Sequence, residues 1–458
     1  MSNLLDNKYA ASAAEKRDIE ISEAETSPQA SSPEEEPFVE GGFIGWMTVV
    51  GAWFCMFGTF GCIFSFGVYQ DFYTRIYLTE QSTSSIAWIG SIGLTLPFLF
   101  GVFSGAYHDK GYFYPLVWFG NILFVFSLFM LSLAQPHRYY QVFLAQGLGM
   151  GLGIGFLFVP CISVPSHFFR RHQGFACGII VSGISAGAVV LPIMLNTLLP
   201  RIGFGPAVRA TAYVVLGTSS IGCLLMRARY PPRIQYGPAD IRGIMRDAPF
   251  FIAICGSGVT TLGLYFPSAP ILFARVVSSA LMCWCASTVI YMQLFAVLHD
   301  IDANLAFYSL AIINGSGGVA RLLSSYCADR FGAFNVMIPE IVISGAVILA
   351  ILGVNGSASL IVVSVIYGFF SGAYLSLVIP AFAAFSRSPA ETGARNGFGV
   401  GLGSFGVLVA SPVQGAILGS EFQWGRTIAF SAAITICGAF IFAIAGVGLA
   451  KRLGTRRV

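Results

Sequence analysis

Charged residues are scarce in this chain of 458 residues: 10% are Asp, Glu, Lys or Arg, whereas 56% are hydrophobic. Ten of the 21 acidic residues lie within the first 40 positions, which leaves eleven for the other 418. A soluble domain of this length needs far more charge to cover its surface. With 53 glycines, 14% aromatic residues and a mean hydropathy of +0.76, the composition instead predicts a membrane protein with closely packed helices.

Metal-ligand clusters, cysteine pairs and catalytic sets are missing as well. The ten cysteines are scattered through apolar stretches without paired spacing or nearby histidines, so neither a disulfide framework nor a zinc site is indicated. The sequence contains no Ser-His-Asp set and no paired intramembrane carboxylates, so we expect neither an enzyme nor a bound cofactor. The glycine ladders at 147–155 and 397–403 lack the strand and the Lys-Ser/Thr of a phosphate-binding loop, and they indicate helix packing.

Twelve apolar runs are long enough to cross the roughly 30 Å hydrocarbon core of a bilayer as helices. A disordered acidic tail, 1–39, precedes them, and a basic linker, 227–247, divides them into bundles at 40–226 and 248–453, with a short tail at 454–458. We therefore expect an all-α polytopic protein of two six-helix halves. The approximate spans are 43–68, 85–107, 112–133, 140–164, 174–199, 207–226, 249–272, 305–328, 335–354, 358–384, 396–419 and 427–450.

The distribution of Lys and Arg predicts the orientation of these spans. When the N-terminus is placed in the cytosol, fifteen basic residues fall on the cytoplasmic side and five on the other. Basic residues favour cytoplasmic loops, so both termini are predicted to be cytoplasmic. The net charge of +4 therefore follows from topology and gives no reason to expect a nucleic-acid partner.

Two short loops six spans apart share one pattern. Asp109-Lys110 follows the second span and Asp329-Arg330 follows the eighth, and each pair is followed closely by a glycine. A carboxylate and a cation at these points can hold neighbouring helix ends together in one conformation and release them in another. Either loop alone is also compatible with an ordinary charged turn. Their matched positions favour a conformational latch between two moving halves.

Five further motifs occur in order along the chain. They are Glu40 to Trp46 before span 1, Phe168 to Ala176 before span 5, Asn304 to Leu310 at span 8, and Thr392 to Gly397 and Ser411 to Gly415 in the region of span 11. Together they resemble the monocarboxylate porter family of the major facilitator superfamily, especially its fungal members. The resemblance implies proton-linked or facilitated movement of small organic anions by a monomer, expected in the plasma membrane, with riboflavin among the cargoes of fungal relatives.

Arg321 is the main candidate for a cargo-binding residue. It lies eight residues before Asp329, about 12 Å along a helix, and half a bilayer core is about 15 Å. It also matches the arginine that the family uses for its anionic substrate in helix 8. Arginine holds a carboxylate through a two-pronged contact and keeps its charge. The alternative is a structural cation bonded to backbone carbonyls or extended toward the cytosol.

Other parts of the family's site are absent or weaker. Animal members have an Asp where this chain has Gly317 and a helix-1 lysine where it has Phe64, so no proton-coupling residue is evident. Glu340, after a loop and a proline, is expected at the membrane interface, with a role in proton coupling as the alternative. Asn314 and Tyr374 are further candidates for the cargo pocket, although such residues more often bond neighbouring helices.

The region of the seventh span is too long for one helix. Residues 268–290 separate two segments that relatives join almost directly, and a thirteenth span there would invert the later basic loops. We interpret Ser268–Ile290 as an insertion. Two origins stay open: a retained intron, since 23 codons keep the reading frame, or a genuine segment that forms an interfacial or re-entrant helix. The leading function is transport of a small organic anion such as a monocarboxylate. The alternatives are a carrier of riboflavin or of a hydrophobic metabolite or drug, and a nutrient sensor that transports nothing.

Overall fold

Apolar chain segments in a bilayer must satisfy their backbone hydrogen bonds internally, which favours helices. The structure, a computed structural model, describes residues 40–169, 171–229, 241–264, 303–387, 391–418, 424–455 and 457–458. Every regular element within these ranges is helical, as the composition predicts. The all-α fold expected from the sequence is therefore confirmed.

Six long helices make up the N-terminal half. They are α1 (Gly42–Phe64, continued by Phe66–Phe72), α2 (Thr83–Asp109), α3 (Phe113–Ser132), α4 (Met150–Ser163, preceded by Tyr139–Val142), α5 (Gln173–Ile202) and α6 (Phe204–Leu225). Wider π-helical turns extend α1 at Tyr73–Tyr77 and join the two parts of α4 at Phe143–Gly149. The first span thus runs nine residues past the predicted end at 68, because this turn continues the helix.

Six more helices form the C-terminal half, after a short linker helix at Ile241–Arg246. They are α7 (Ala248–Leu264), α8 (Ala303–Phe331), α9 (Ala333–Ala350), α10 (Ser357–Ala383), α11 (Thr392–Leu418) and α12 (Trp424–Leu453). The proposed insertion 268–290 and the end of the predicted span 249–272 lie outside the described residues. In the described ranges, nine helices have the length and hydropathy needed to cross a membrane, and Ala248–Leu264 is a shorter apolar helix.

The two halves meet through two equivalent helix pairs, α2 with α11 and α5 with α8. Glycines allow the backbones to approach closely at both. A Cβ atom at Gly397 of α11 would collide with the Gly101 carbonyl oxygen of α2, and one at Gly178 of α5 would lie 2.7 Å from the Arg321 carbonyl oxygen of α8. Small residues permit this kind of contact between membrane helices. The interface therefore brings the polar ends of α2 and α8 against the opposite half.

Candidate functional site

The carboxylate of Asp109 binds the first turn of α11 in the opposite half. Asp109 is the last residue of α2, and its oxygens accept hydrogen bonds from the backbone N–H groups of Gly393 (3.0 Å) and Ala394 (2.7 Å). These N–H groups have no acceptor within their own helix, and the helix dipole favours a negative charge at this end. A Cβ atom at Gly393 would collide with the carboxylate and with the Gly105 carbonyl oxygen, so glycine is required there.

Asp329 makes the equivalent contact on the other side of the interface. It lies in the last turn of α8, and its two oxygens accept hydrogen bonds from the N–H groups of Gly174 and Phe175 in the first turn of α5, both at 2.8 Å. Both aspartates thus join the C-terminal end of one helix to the N-terminal end of a helix in the other half. We call these two contacts the latch, and the end of the bundle where they lie the latch end.

The cations next to the two aspartates have different partners. The Lys110 ammonium lies 5.1 Å from the centre of the Tyr107 ring, and the Arg330 guanidinium lies 4.6 Å from that of Tyr326, whose hydroxyl it also contacts. Exposed contacts of this kind contribute about 0.5–1 kcal/mol. The sequence predicted a latch made of carboxylate and cation. In the structure, the contacts between the halves are made by the carboxylates and backbone N–H groups.

Arg321 is buried between the two halves. The residue is only 5% exposed. Its Nη1 donates hydrogen bonds to the Val181 carbonyl oxygen (2.9 Å) and to the Ser185 hydroxyl (2.8 Å), both on α5. Its Nε donates to the Gly372 carbonyl oxygen of α10 at 3.3 Å. The guanidinium is thus solvated by protein oxygens in this conformation. This arrangement corresponds to the structural-cation alternative, and it links α8 to α5 two turns deeper than the latch.

The other two predicted cargo contacts lie inside the C-terminal half. Asn314 is half-buried on α8, and its amide donates to the Leu310 carbonyl oxygen of the same helix at 3.0 Å. The Tyr374 hydroxyl of α10 is 3.0 Å from the Ser257 hydroxyl of α7, and its ring packs edge-on against Phe442 of α12. Both residues make the helix-helix or local contacts that the sequence allowed as the alternative. Their role in cargo binding stays a prediction.

Glu340 is buried inside the C-terminal half, and its expected depth at the membrane interface stays a prediction. It is 8% exposed, and its Oε1 accepts a hydrogen bond from the Ser324 hydroxyl of α8. Pro339 neither ends nor starts a helix here. The helix α9 begins six residues earlier at Ala333 and carries the carboxyl group about 10 Å along its axis.

A second group of charges, which no pattern in the sequence indicated, fixes the start of α11. Arg395 is 1% exposed, and its Nη1 is 3.0 Å from Asp247 Oδ2, while its Nε is 3.2 Å from Glu391 Oε2. Arg452 of α12 also lies 3.0 Å from Asp247 Oδ2. A cation is unfavourable in the first turn of a helix. This unfavourable position was the available signal that Arg395 needs nearby carboxylates.

Comparison with known proteins places the chain in a family. The model of the Major Facilitator Superfamily matches residues 43–350. The chain is 34% identical to the MFS-type transporter dbaD of Emericella nidulans, over 93% of this chain and 91% of that protein. It is 33% identical to the aspyridones efflux protein apdF of the same species, over 89% and 78%. It is 32% identical to the agnestins efflux protein AgnL12 of Paecilomyces divaricatus, over 87% and 86%.

Solved structures show the same fold. The crystal structure of the transporter FucP in the outward conformation matches with a TM-score of 0.61 at 14% identity, over 87% of this chain and 98% of that one. A bacterial homologue of the iron transporter ferroportin in its outward-facing state matches with a TM-score of 0.63 at 14% identity, over 88% and 99%. The narrower resemblance to monocarboxylate porters stays a prediction. The chain belongs to the Major Facilitator Superfamily and is an integral membrane transporter of that type.

Proposed function

We propose that this transporter exports a small, largely apolar organic metabolite by alternating access. The observation that carries the proposal is the pair of contacts from Asp109 to α11 and from Asp329 to α5. Both contacts cross between the halves at the same end of the bundle. A carrier that opens alternately to its two sides needs contacts that form and break at each end, and ionic contacts to helix N-termini suit this purpose.

The class of cargo is supported by the relatives and by the environment of Arg321. Two relatives that are 33% and 32% identical over most of the chain are named as efflux proteins for aspyridones and agnestins. In the closed latch end, three oxygens of Val181, Ser185 and Gly372 solvate the guanidinium. An arginine with this environment favours a role in joining the halves, so the cargo does not need a negative charge.

Transport of a small organic anion is the second candidate. Arg321 supports it. Inserting a cation near the middle of a membrane helix costs about 2.5–3.5 kcal/mol on insertion scales, and charged residues at such places mark functional sites. Separation of the halves would take the α5 acceptors Val181 and Ser185 away from it. The arginine would then be available to a carboxylate on the cargo.

Transport assays in proteoliposomes separate the two candidates. Purified protein is reconstituted, and aspyridones, agnestins and lactate are each tested for accumulation by mass spectrometry, with wild type beside Arg321→Ala and Gly217→Ala. Gly217 has no atom within 4 Å of the position of an added Cβ atom, so it is a matched control. Accumulation of aspyridones or agnestins but not of lactate supports the export of an organic metabolite of that kind. Uptake of lactate alone, lost in Arg321→Ala, would overturn that proposal in favour of the anion carrier.

The membrane and the orientation are part of the same proposal. We expect the plasma membrane, with both termini in the cytosol, because fifteen basic residues fall on the side of the termini and five on the other. In this orientation the latch end faces the cytosol. Protease protection of epitope tags at both termini in sealed cells tests the orientation, and cleavage of either tag from outside would contradict it.

A further inference from the structure

Glu340 is a carboxyl group with an incomplete set of hydrogen bonds inside the C-terminal half. The Ser324 hydroxyl of α8 donates to its Oε1. Its Oε2 is buried and has no hydrogen-bond partner among the residues that the structure describes. The hydroxyl of Ser344, one turn further along α9, is also buried and also has no hydrogen-bond partner among the described residues. No established feature of the transporter fold described above accounts for a carboxyl group at this place.

Charged and titratable groups on the helices that pack against α9 are few. The neighbours of α9 are α7, α8, α10 and α12. In α10 there are no charged residues, and its tyrosines Tyr367 and Tyr374 contact the Leu264 carbonyl oxygen and Ser257. The remaining groups in the described parts of these elements are, on α8, Tyr308, Arg321, Tyr326, Cys327, Asp329 and Arg330; at and in α7, Asp247 and Cys255; on α12, Arg426, Cys437, Lys451 and Arg452; and near the start of α9, Arg457.

The closest of these cations along α8 is Arg321, which lies one turn before Ser324. Residues three apart on a helix are neighbours on its surface. The described bonds of the Arg321 guanidinium, however, go to α5 and α10 and not to α9. Asp247 pairs with Arg395 and Arg452, and the Asp329 carboxylate accepts from the N–H groups of Gly174 and Phe175.

An ionised carboxylate at this position is much less stable than a neutral carboxylic acid. Burying an ion costs several kcal/mol unless a counter-charge and several donors compensate it, and one hydroxyl is not enough. In a neutral acid Oε2 carries the proton, because Oε1 accepts from Ser324, and this single O–H donor is left without a described acceptor, which costs about 1–3 kcal/mol. Glu340 is therefore protonated in the conformation with the latch end closed.

Opening of the latch end changes the environment of Arg321. Two of its three described acceptors, the Val181 carbonyl and the Ser185 hydroxyl, belong to the opposite half and move away with α5. The guanidinium thereby loses two of its described acceptors, and the Ser324 and Glu340 pair, one turn away on the side that stays with it, can supply another. Pairing with Arg321 stabilises the carboxylate, and the proton leaves to water in the opened cleft.

We propose that Glu340 is the proton-binding site of the transport cycle. It holds a proton while the latch end is closed, and it releases the proton and pairs with Arg321 when the halves separate. The proposal deepens the proposed function, because it supplies the ion that drives an alternating-access carrier. The ligand is a proton, and it binds a carboxyl oxygen of Glu340. Arg321 stabilises the Glu340 carboxylate when the proton leaves.

Infrared spectroscopy of the purified protein tests the site without any cargo. Wild type, Glu340→Gln and the control Glu391→Gln are compared in lipid nanodiscs at neutral pH, in the region of the protonated carboxyl C=O stretch. Glu391 is a suitable control because its carboxylate is paired with Arg395 at 3.2 Å. We expect one such band in wild type and in Glu391→Gln, and its loss in Glu340→Gln. An unchanged spectrum in Glu340→Gln overturns the proposal.

Transport measurements test the coupling. With aspyridones as the probe, Glu340→Gln should keep exchange of compound across the membrane without a pH gradient and lose accumulation driven by the gradient. Retained gradient-driven accumulation overturns the coupling role. If no probe is carried by wild type, the proposed cargo fails while the infrared result still decides the site. If Glu340→Gln does not purify as a single species, Glu340→Asp should shift the carboxyl band, and an unshifted band rejects the assignment.

Discussion

Asp109 and Asp329 make the same contact in opposite directions across the interface between the two halves. The Asp109 carboxylate of α2 accepts hydrogen bonds from two backbone N–H groups of α11, and the Asp329 carboxylate of α8 accepts two from α5. The two helix pairs are related by the six-helix repeat. Because both contacts lie at one end of the bundle, we expect that both must break before that end opens.

Loss of either latch charge should favour opening of the latch end. In a background without native cysteines, a Ser325→Cys reporter on α8 is buried against Gly178 of α5 when the end is closed. Asp109→Asn or Asp329→Asn removes charge-assisted bonds worth about 1.5–3 kcal/mol. A shift of about 1.5 kcal/mol raises the rate of maleimide labelling roughly ten-fold. The double variant should label faster than either single variant, because the two contacts are separate.

The control for the latch is Asp71→Asn. Asp71 pairs with Arg75 at 2.6 Å in a half-exposed contact one turn apart, near the end of the first span. Such pairs contribute about 0.3–0.5 kcal/mol. Labelling of the reporter should therefore match wild type. Equal labelling in wild type, in both single variants at Asp109 and Asp329 and in the double variant would show that the aspartates do not hold the halves together.

A methyl group at Gly397 should prevent the α2–α11 interface from closing. An added Cβ atom there collides with the backbone carbonyl of Gly101, which cannot rotate away as a side chain can. We expect Gly397→Ala to fold, since α11 keeps its packing with α7, but to transport poorly and to label quickly at Ser325→Cys. Gly217→Ala, with open space around the added atom, should transport normally and melt no lower than wild type. Normal transport by Gly397→Ala would contradict the close approach.

The buried pair of Asp247 and Arg395 should be important for stability. Asp247→Ala removes the acceptor of both Arg395 and Arg452 and leaves a buried guanidinium with Glu391 alone. Removing one partner of a buried pair typically costs about 3–5 kcal/mol. The melting temperature in detergent should fall strongly for Asp247→Ala and little for Glu391→Gln, whose carboxylate is more exposed. A joint replacement of Asp247 and Arg395 by leucine should recover part of the loss, and a failure to recover would show that their charges act independently.

Much of the fold was predictable because the membrane imposes local rules on the sequence. Each span needs a long apolar run, so runs such as 112–133 and 427–450 predicted α3 and α12 within a few residues. The matched Asp109 and Asp329 loops indicated a repeat for the same reason, since both stand at the ends of apolar runs. Helix ends were predicted less well where a π-helical turn or a proline inside a helix leaves no stop signal in the sequence, as at Tyr73–Tyr77.

The sequence by itself determined the class of protein, the helices and the residues at the latch, because hydropathy and the spacing of charges are properties of short segments. Only the tertiary structure decided the partners. It brought Asp109 to Gly393, gave Arg321 its acceptors on α5 and buried Glu340 beside Ser324. These contacts join residues far apart in the chain, and they depend on how the helices pack and rotate, which no local pattern records.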